Sequence, residues 1–136
     1  MPDDADEGRS VTGPGGRVLL VEDEPRIAAF LVKGLQGDGC DVVVAEDGEV
    51  GLYLATAESF DAVILDIGLP GLHGVEVLRG IRRARPALPV VMLTARDEPD
   101  ARDVCMQAGA TGFVTKPLVF ADLRAVLAAC ISSGAG

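Results

Sequence analysis

The strongest constraint in this sequence is an alternation that repeats five times between Arg17 and Ile131. A short apolar run, often β-branched, comes first, and a segment with helical spacing follows it. The runs are Val18-Leu19-Leu20-Val21, Asp41-Val42-Val43-Val44-Ala45, Asp61 to Asp66, Leu88 to Leu93, and Thr111 to Thr115. Ala62-Val63-Ile64-Leu65 predicts a strand buried on both faces, as parallel strands are, Val18–Val21 predicts a second buried strand, and the other three runs predict strands.

The segments between them predict helices. Pro25 suits a first turn, Ile27, Phe30, Leu31 and Leu35 form an apolar stripe, and Gly37-Asp38-Gly39 ends it. Asp47 caps a second helix in which Val50, Tyr53, Leu54 and Ala57 share a face. A third runs from about His73 to Arg83, with Val75, Leu78 and Ile81 inward and Arg79, Arg82, Arg83 and Arg85 solvated. Asp97 and Pro99 begin a fourth, with a weak apolar face of Ala101, Val104, Cys105 and Ala108. Leu123, Val126, Leu127, Cys130 and Ile131 stripe the last. Consecutive βα units with right-handed crossovers give an α/β fold, an open parallel sheet covered on both faces. In one domain of this size the expected architecture is a doubly wound five-stranded parallel sheet, (βα)5, of flavodoxin-like order 2-1-3-4-5. A closed eight-unit barrel would need roughly 250 residues.

Composition bounds the rest. Residues 1–16 carry Asp3, Asp4, Asp6 and Glu7 and almost nothing apolar, so they read as a disordered acidic leader. Residues 17–131 form the domain, and the small residues 132–136 read as a flexible tail or the start of a linker. Cys40, Cys105 and Cys130 are far apart and odd in number, which points to buried thiols in a reducing cytoplasm rather than a disulfide framework. No signal peptide or membrane span is visible, and a net charge of −9 argues against direct nucleic-acid binding.

In this topology strands one, three, four and five bring their C-terminal ends to one crevice. Those ends carry Glu22-Asp23, Asp66, Thr94 and Lys116. Converging carboxylates repel unless a cation sits among them, and a few carboxylates with a backbone carbonyl and waters suit Mg²⁺. An exposed Asp beside such an ion is a nucleophile toward a phosphoryl group, and an ammonium and a hydroxyl compensate the phosphoryl charge.

Leu20-Val21-Glu22-Asp23-Glu24, Leu65 through Gly74, Leu93-Thr94-Ala95 and Gly109 through Pro117 resemble the receiver domains of two-component response regulators. The resemblance spans Arg17 to about Ile131. It implies that Asp66 is the phosphoacceptor and that Glu22 and Asp23 are the acidic pair, Asp23 being the direct Mg²⁺ ligand. The backbone carbonyl of Gly68 completes the protein ligands. Thr94 moves to bond the phosphoryl group, Phe113 holds the aromatic switch position, and Lys116 contacts the phosphoryl oxygens through a cis Lys116-Pro117 peptide. The implied partners are a histidine kinase as phosphodonor and an output domain or target protein. The surface of helix 4, strand 5 and helix 5 would change on phosphorylation and would also serve a homodimer. Membranes are not implied, and the only phosphoryl chemistry implied is self-directed, so the chain reads as a switch rather than an enzyme.

Gly68 and Arg96 depart from side chains common at positions flanking the phosphoryl group, and His73 stands where the family often has Asp. His73 reads as a loop or helix-start residue. A haloacid dehalogenase-type hydrolase would need a second acid at Gly68, and a flavin carrier would need a phosphate cradle where Glu22-Asp23-Glu24-Pro25 stands. A pseudo-receiver scaffold is disfavoured because every member of the set is present. The sequence leaves two arrangements even: a stand-alone receiver, or the N-terminal piece of a longer regulator.

Overall fold

The computed structural model describes residues 16–95 and 100–135. In chain order it contains β1 (Gly16–Val21), α1 (Pro25–Gly37), β2 (Cys40–Ala45), α2 (Gly48–Ala57) and β3 (Ala62–Asp66), then α3 (Gly74–Ala84), β4 (Val90–Thr94), α4 (Ala101–Gln107), β5 (Gly112–Thr115) and α5 (Phe120–Ala135). The strands form one parallel sheet in the order β2-β1-β3-β4-β5. That is the doubly wound order expected from the alternation of runs.

Side chains of the central strands alternate between two cores. Leu19, Val21, Val63, Leu65, Val90 and Met92 face α2, α3 and α4. Val18, Leu20, Ile64, Val91 and Leu93 face α1 and α5 through Leu31, Leu35, Leu123 and Leu127. Each such side chain, once buried, contributes roughly 1.5–3 kcal/mol. The helix starts follow local chemistry. The Glu24 carboxylate accepts from Arg26 N at 2.8 Å, Asp47 from Val50 N at 2.9 Å, and His73 Nδ1 from Val75 N at 3.3 Å.

Helix α2 reverses the expected face. Val50 and Tyr53 are exposed, Tyr53 by 66%, Ala57 is exposed too and Leu54 is only half-buried, while the buried positions are Gly48, Gly51 and Ala55. The backbone packs directly on β1: a Cβ at Gly51 would lie 2.7 Å from a methyl of Val21. A stripe of bulky residues cannot fit there, so the small side turns inward. Phe30 on α1 is likewise 48% exposed and meets the edge of Phe120, whose ring fills the space above Gly34. Val104, expected on the apolar face of α4, is also exposed.

Two of the arginines expected to be solvated are half-buried ties between elements. Arg82 donates through Nε to Gly109 O at 2.7 Å and through Nη2 to Thr111 Oγ1 at 3.0 Å. Arg85 donates to Ala55 O at 2.8 Å and Thr56 O at 3.1 Å, satisfying carbonyls at the end of α2. Arg79 and Arg83 are exposed as expected.

At the chain ends, Gly16 already pairs with Cys40 in the sheet, and α5 continues as helix to Ala135, past the expected boundary at Ile131. Extending an established helix fixes one residue per added hydrogen bond and avoids the cost of starting a new one. Residues 1–15 of the expected leader, and Arg96, Asp97 and Pro99, lie outside the described residues. All three cysteines are buried, and no described helix is long and apolar enough to cross a membrane.

Candidate functional site

The crevice at the strand ends is built by extending the ladders one residue beyond β1, β3 and β5. Glu22 N donates to Ala45 O at 3.0 Å, Ile67 N to Leu93 O at 3.0 Å, and Lys116 N to Thr94 O at 2.7 Å. Glu22, Ile67 and Lys116 are thereby held in one row by sheet geometry rather than by loops.

The side chains converge from there. One carboxylate oxygen from each of Glu22, Asp23 and Asp66 lies within 4.8 Å of the others. Lys116 Nζ stands 3.3 Å from Asp66 Oδ2 and 3.7 Å from Glu22 Oε1. Gly68 N donates to Asp66 Oδ1 at 3.3 Å, and Glu24 N to Glu22 Oε2 at 3.1 Å. Glu22 is only 1% exposed, Asp66 5% and Thr94 3%, whereas Asp23 and Gly68 are open to solvent. A Cβ at Gly68 would meet nothing within 4 Å, so the mouth of the site is wide there.

The electrostatics are those of an acid held under strain. Burial, then the neighbouring Asp66 carboxylate, pushes Glu22 up to about 7, while the Glu24 N–H and the Lys116 ammonium pull it back. Glu22 Oε1 is buried and receives no hydrogen bond from the described residues. An orphaned carboxylate oxygen facing two more carboxylates is a donor set with a place for a hard cation, so the residues fit Mg²⁺.

Thr94 ends β4 opposite Thr115. Phe113 lies further back along β5, paired with Met92 and half-buried against the α3–α4 core. The Lys116–Pro117 peptide is cis. His73 sits outside the cluster as the cap of α3. One positioning residue was not singled out from the sequence: Gly74 packs on the turn that carries Asp66, and a Cβ there would lie 2.5 Å from Asp66 O. A glycine at a helix start is too common to signal that contact.

Residues 18–128 match the family model of the response regulator receiver domain. The chain belongs to that family. Receiver domains of this family carry phosphorylation-driven signalling in two-component systems. The transcriptional activator protein IrlR of Burkholderia pseudomallei (strain 1026b) is 42% identical over 118 residues, covering 87% of this chain and 51% of the relative. The alkaline phosphatase synthesis transcriptional regulatory protein PhoP of Bacillus subtilis is 37% identical over 115 residues, covering 82% and 48%. The receiver domain thus spans about half the length of the curated relatives it matches. Among solved structures, the receiver domain of a sensor histidine kinase from Pseudomonas aeruginosa PAO1 superposes with a TM-score of 0.80 at 32% identity, covering 87% of this chain and 98% of that one. That structure has a magnesium ion coordinated in its active-site cleft. A receiver domain protein from Clostridium thermocellum gives 0.81 at 30% identity, covering 86% and 94%.

Proposed function

We propose that this receiver domain is switched by phosphorylation of Asp66. The observation that carries the reading is the Glu22–Asp23–Asp66 cluster with Lys116 Nζ against Asp66 and an unsatisfied Glu22 oxygen. A carboxylate oxygen of Asp66 attacks the phosphorus of a phosphohistidine on a histidine kinase, or of a small phosphodonor such as acetyl phosphate. The new O–P bond forms as the donor's P–N or P–O bond breaks, and the donor leaves with that electron pair.

Glu22, Asp23, Asp66 and the Gly68 carbonyl would hold Mg²⁺, which when bound supplies positive charge against the phosphoryl oxygens. Lys116 pairs with a phosphoryl oxygen in place of Asp66 Oδ2. Thr94 donates its hydroxyl to another, drawing the end of β4 toward the site. Phe113 moves into the space this opens, and the surface of α4, β5 and α5 alters its affinity for a partner. That partner is an output domain, a target protein or a second copy of the domain. Two named relatives, IrlR and PhoP, are transcriptional regulators about twice as long as the matched region, so control of transcription through a further domain is the output this reading favours. The chain's net charge of −9 favours protein partners over DNA, and the cytoplasm is its proposed compartment.

Intact mass after incubation with acetyl phosphate tests the assignment. Wild type should gain one phosphoryl group only when Mg²⁺ is present, and Asp66→Asn should gain none. Undiminished labelling of Asp66→Asn would remove Asp66 from the role.

A further inference from the structure

We propose that Arg102 is a latch on the Phe113 switch: its guanidinium, stacked on the ring, holds the unphosphorylated arrangement of α4 against β5. The proposal rests on the phosphoacceptor reading above and adds a regulator of its threshold.

Arg102 Cζ lies 4.6 Å from the Phe113 ring centroid, well within the range at which a ring's quadrupole attracts a cation. The ring packs against the core on one side and carries the guanidinium on another. No carboxylate among the described residues pairs with Arg102, although Asp100 and Asp103 are near it in sequence, so the ring is its partner.

The latch matters because α4 is short and only lightly buried. The helix has seven residues, only Ala101 and Cys105 are buried, and Asp100 at its N-terminus makes no side-chain cap. It also stands in the chain between Thr94 and Phe113, the two residues that the switch must move. A contact made only in the resting arrangement subtracts from the free energy available to leave it. One exposed cation–π contact changes such an equilibrium by roughly two- to five-fold.

Beryllofluoride with Mg²⁺ is the probe, titrated into wild type, Arg102→Gln, Phe113→Leu and the double variant. Half-saturation is read from the amide resonances of β4 and β5. Arg102→Gln should reach half-saturation at a two- to five-fold lower concentration, Arg102→Lys should fall between it and wild type, and the effect should vanish in the Phe113→Leu background. Mere loss of a cation near an anion site would act the other way and raise the concentration needed. An unchanged or raised midpoint in Arg102→Gln, or an equal shift with and without the ring, overturns the latch while leaving the phosphoacceptor reading standing. A wild type that responds no more than Asp66→Asn overturns that reading, and the latch with it.

Discussion

Glu22→Gln should stabilise the metal-free domain at pH 8 while weakening its response to Mg²⁺. Glu22 is 1% exposed, and burial beside Asp66 raises it from 4.5 to about 7. The folded state therefore holds a proton that the unfolded chain has released between those two values. Stability contributed by the protonated form is intact below pH 4.5 and is lost as pH rises through 7. At 1.36 kcal/mol per pKa unit the cost approaches ~3 kcal/mol above pH 7. Glutamine keeps an oxygen for the Glu24 N–H and carries no charge, so it escapes most of that cost. Allowing for imperfect repacking, about 1–3 kcal/mol should be recovered, or roughly 4–10 °C in Tm for a domain of this size. The assay is thermal melting in EDTA and in Mg²⁺ at several pH values, with wild type and variant compared at each. Subtracting the two curves isolates Glu22 from the other carboxylates, and the difference should grow from pH 5 to pH 8 in EDTA. In Mg²⁺ wild type should gain more than the variant, closing the gap. A difference independent of pH, or a variant that melts below wild type at pH 8 in EDTA, would refute the picture of Glu22 as a buried acid awaiting a cation.

Two glycines near the acceptor, Gly68 in the connection after β3 and Gly74 at the start of α3, should behave oppositely. Gly74→Ala forces a Cβ to 2.5 Å from Asp66 O and 2.6 Å from Ile67 Cα, so a loss of about 1–3 kcal/mol in urea unfolding is expected, together with slower phosphorylation. Gly68→Ala, with open space around it, should change stability by less than about 0.5 kcal/mol. On α2, Tyr53→Ser should be nearly neutral in the same assay, whereas Gly51→Ala, aimed at Val21, should cost about 1 kcal/mol or more. Arg82→Ala removes charged hydrogen bonds to Gly109 O and Thr111 Oγ1 and should cost about 2 kcal/mol or more, with increased hydrogen exchange in the α4–β5 connection.

The alternation of apolar runs and helical stripes was enough to order the elements, because each run is local and the central ones, Val18–Val21, Ala62–Asp66 and Val90–Thr94, are buried on both faces, whereas the edge strands β2 and β5 are partly exposed. The strand-end residues were legible for the same reason. Once the sheet order follows from one-domain βα topology, Glu22, Asp66, Thr94 and Lys116 have no other place to go. The Asp47 cap is decided within a few residues and could be read directly.

Tertiary structure decided what depends on neighbours distant in the chain. Counting large apolar residues placed the wrong face of α2 inward, since a helix lying directly on β1 needs glycine there and exposes Tyr53. Arg82 and Arg85 look like a charged helix face in sequence, and only the carbonyls of Gly109 and Ala55, 27 and 30 residues away, make them ties. That Glu22 is buried with an unsatisfied oxygen, and that Arg102 lies on Phe113, follows likewise from packing between separate elements. Local sequence chose the chemical groups and the row they occupy; contact between elements chose their burial, their partners and so their energies.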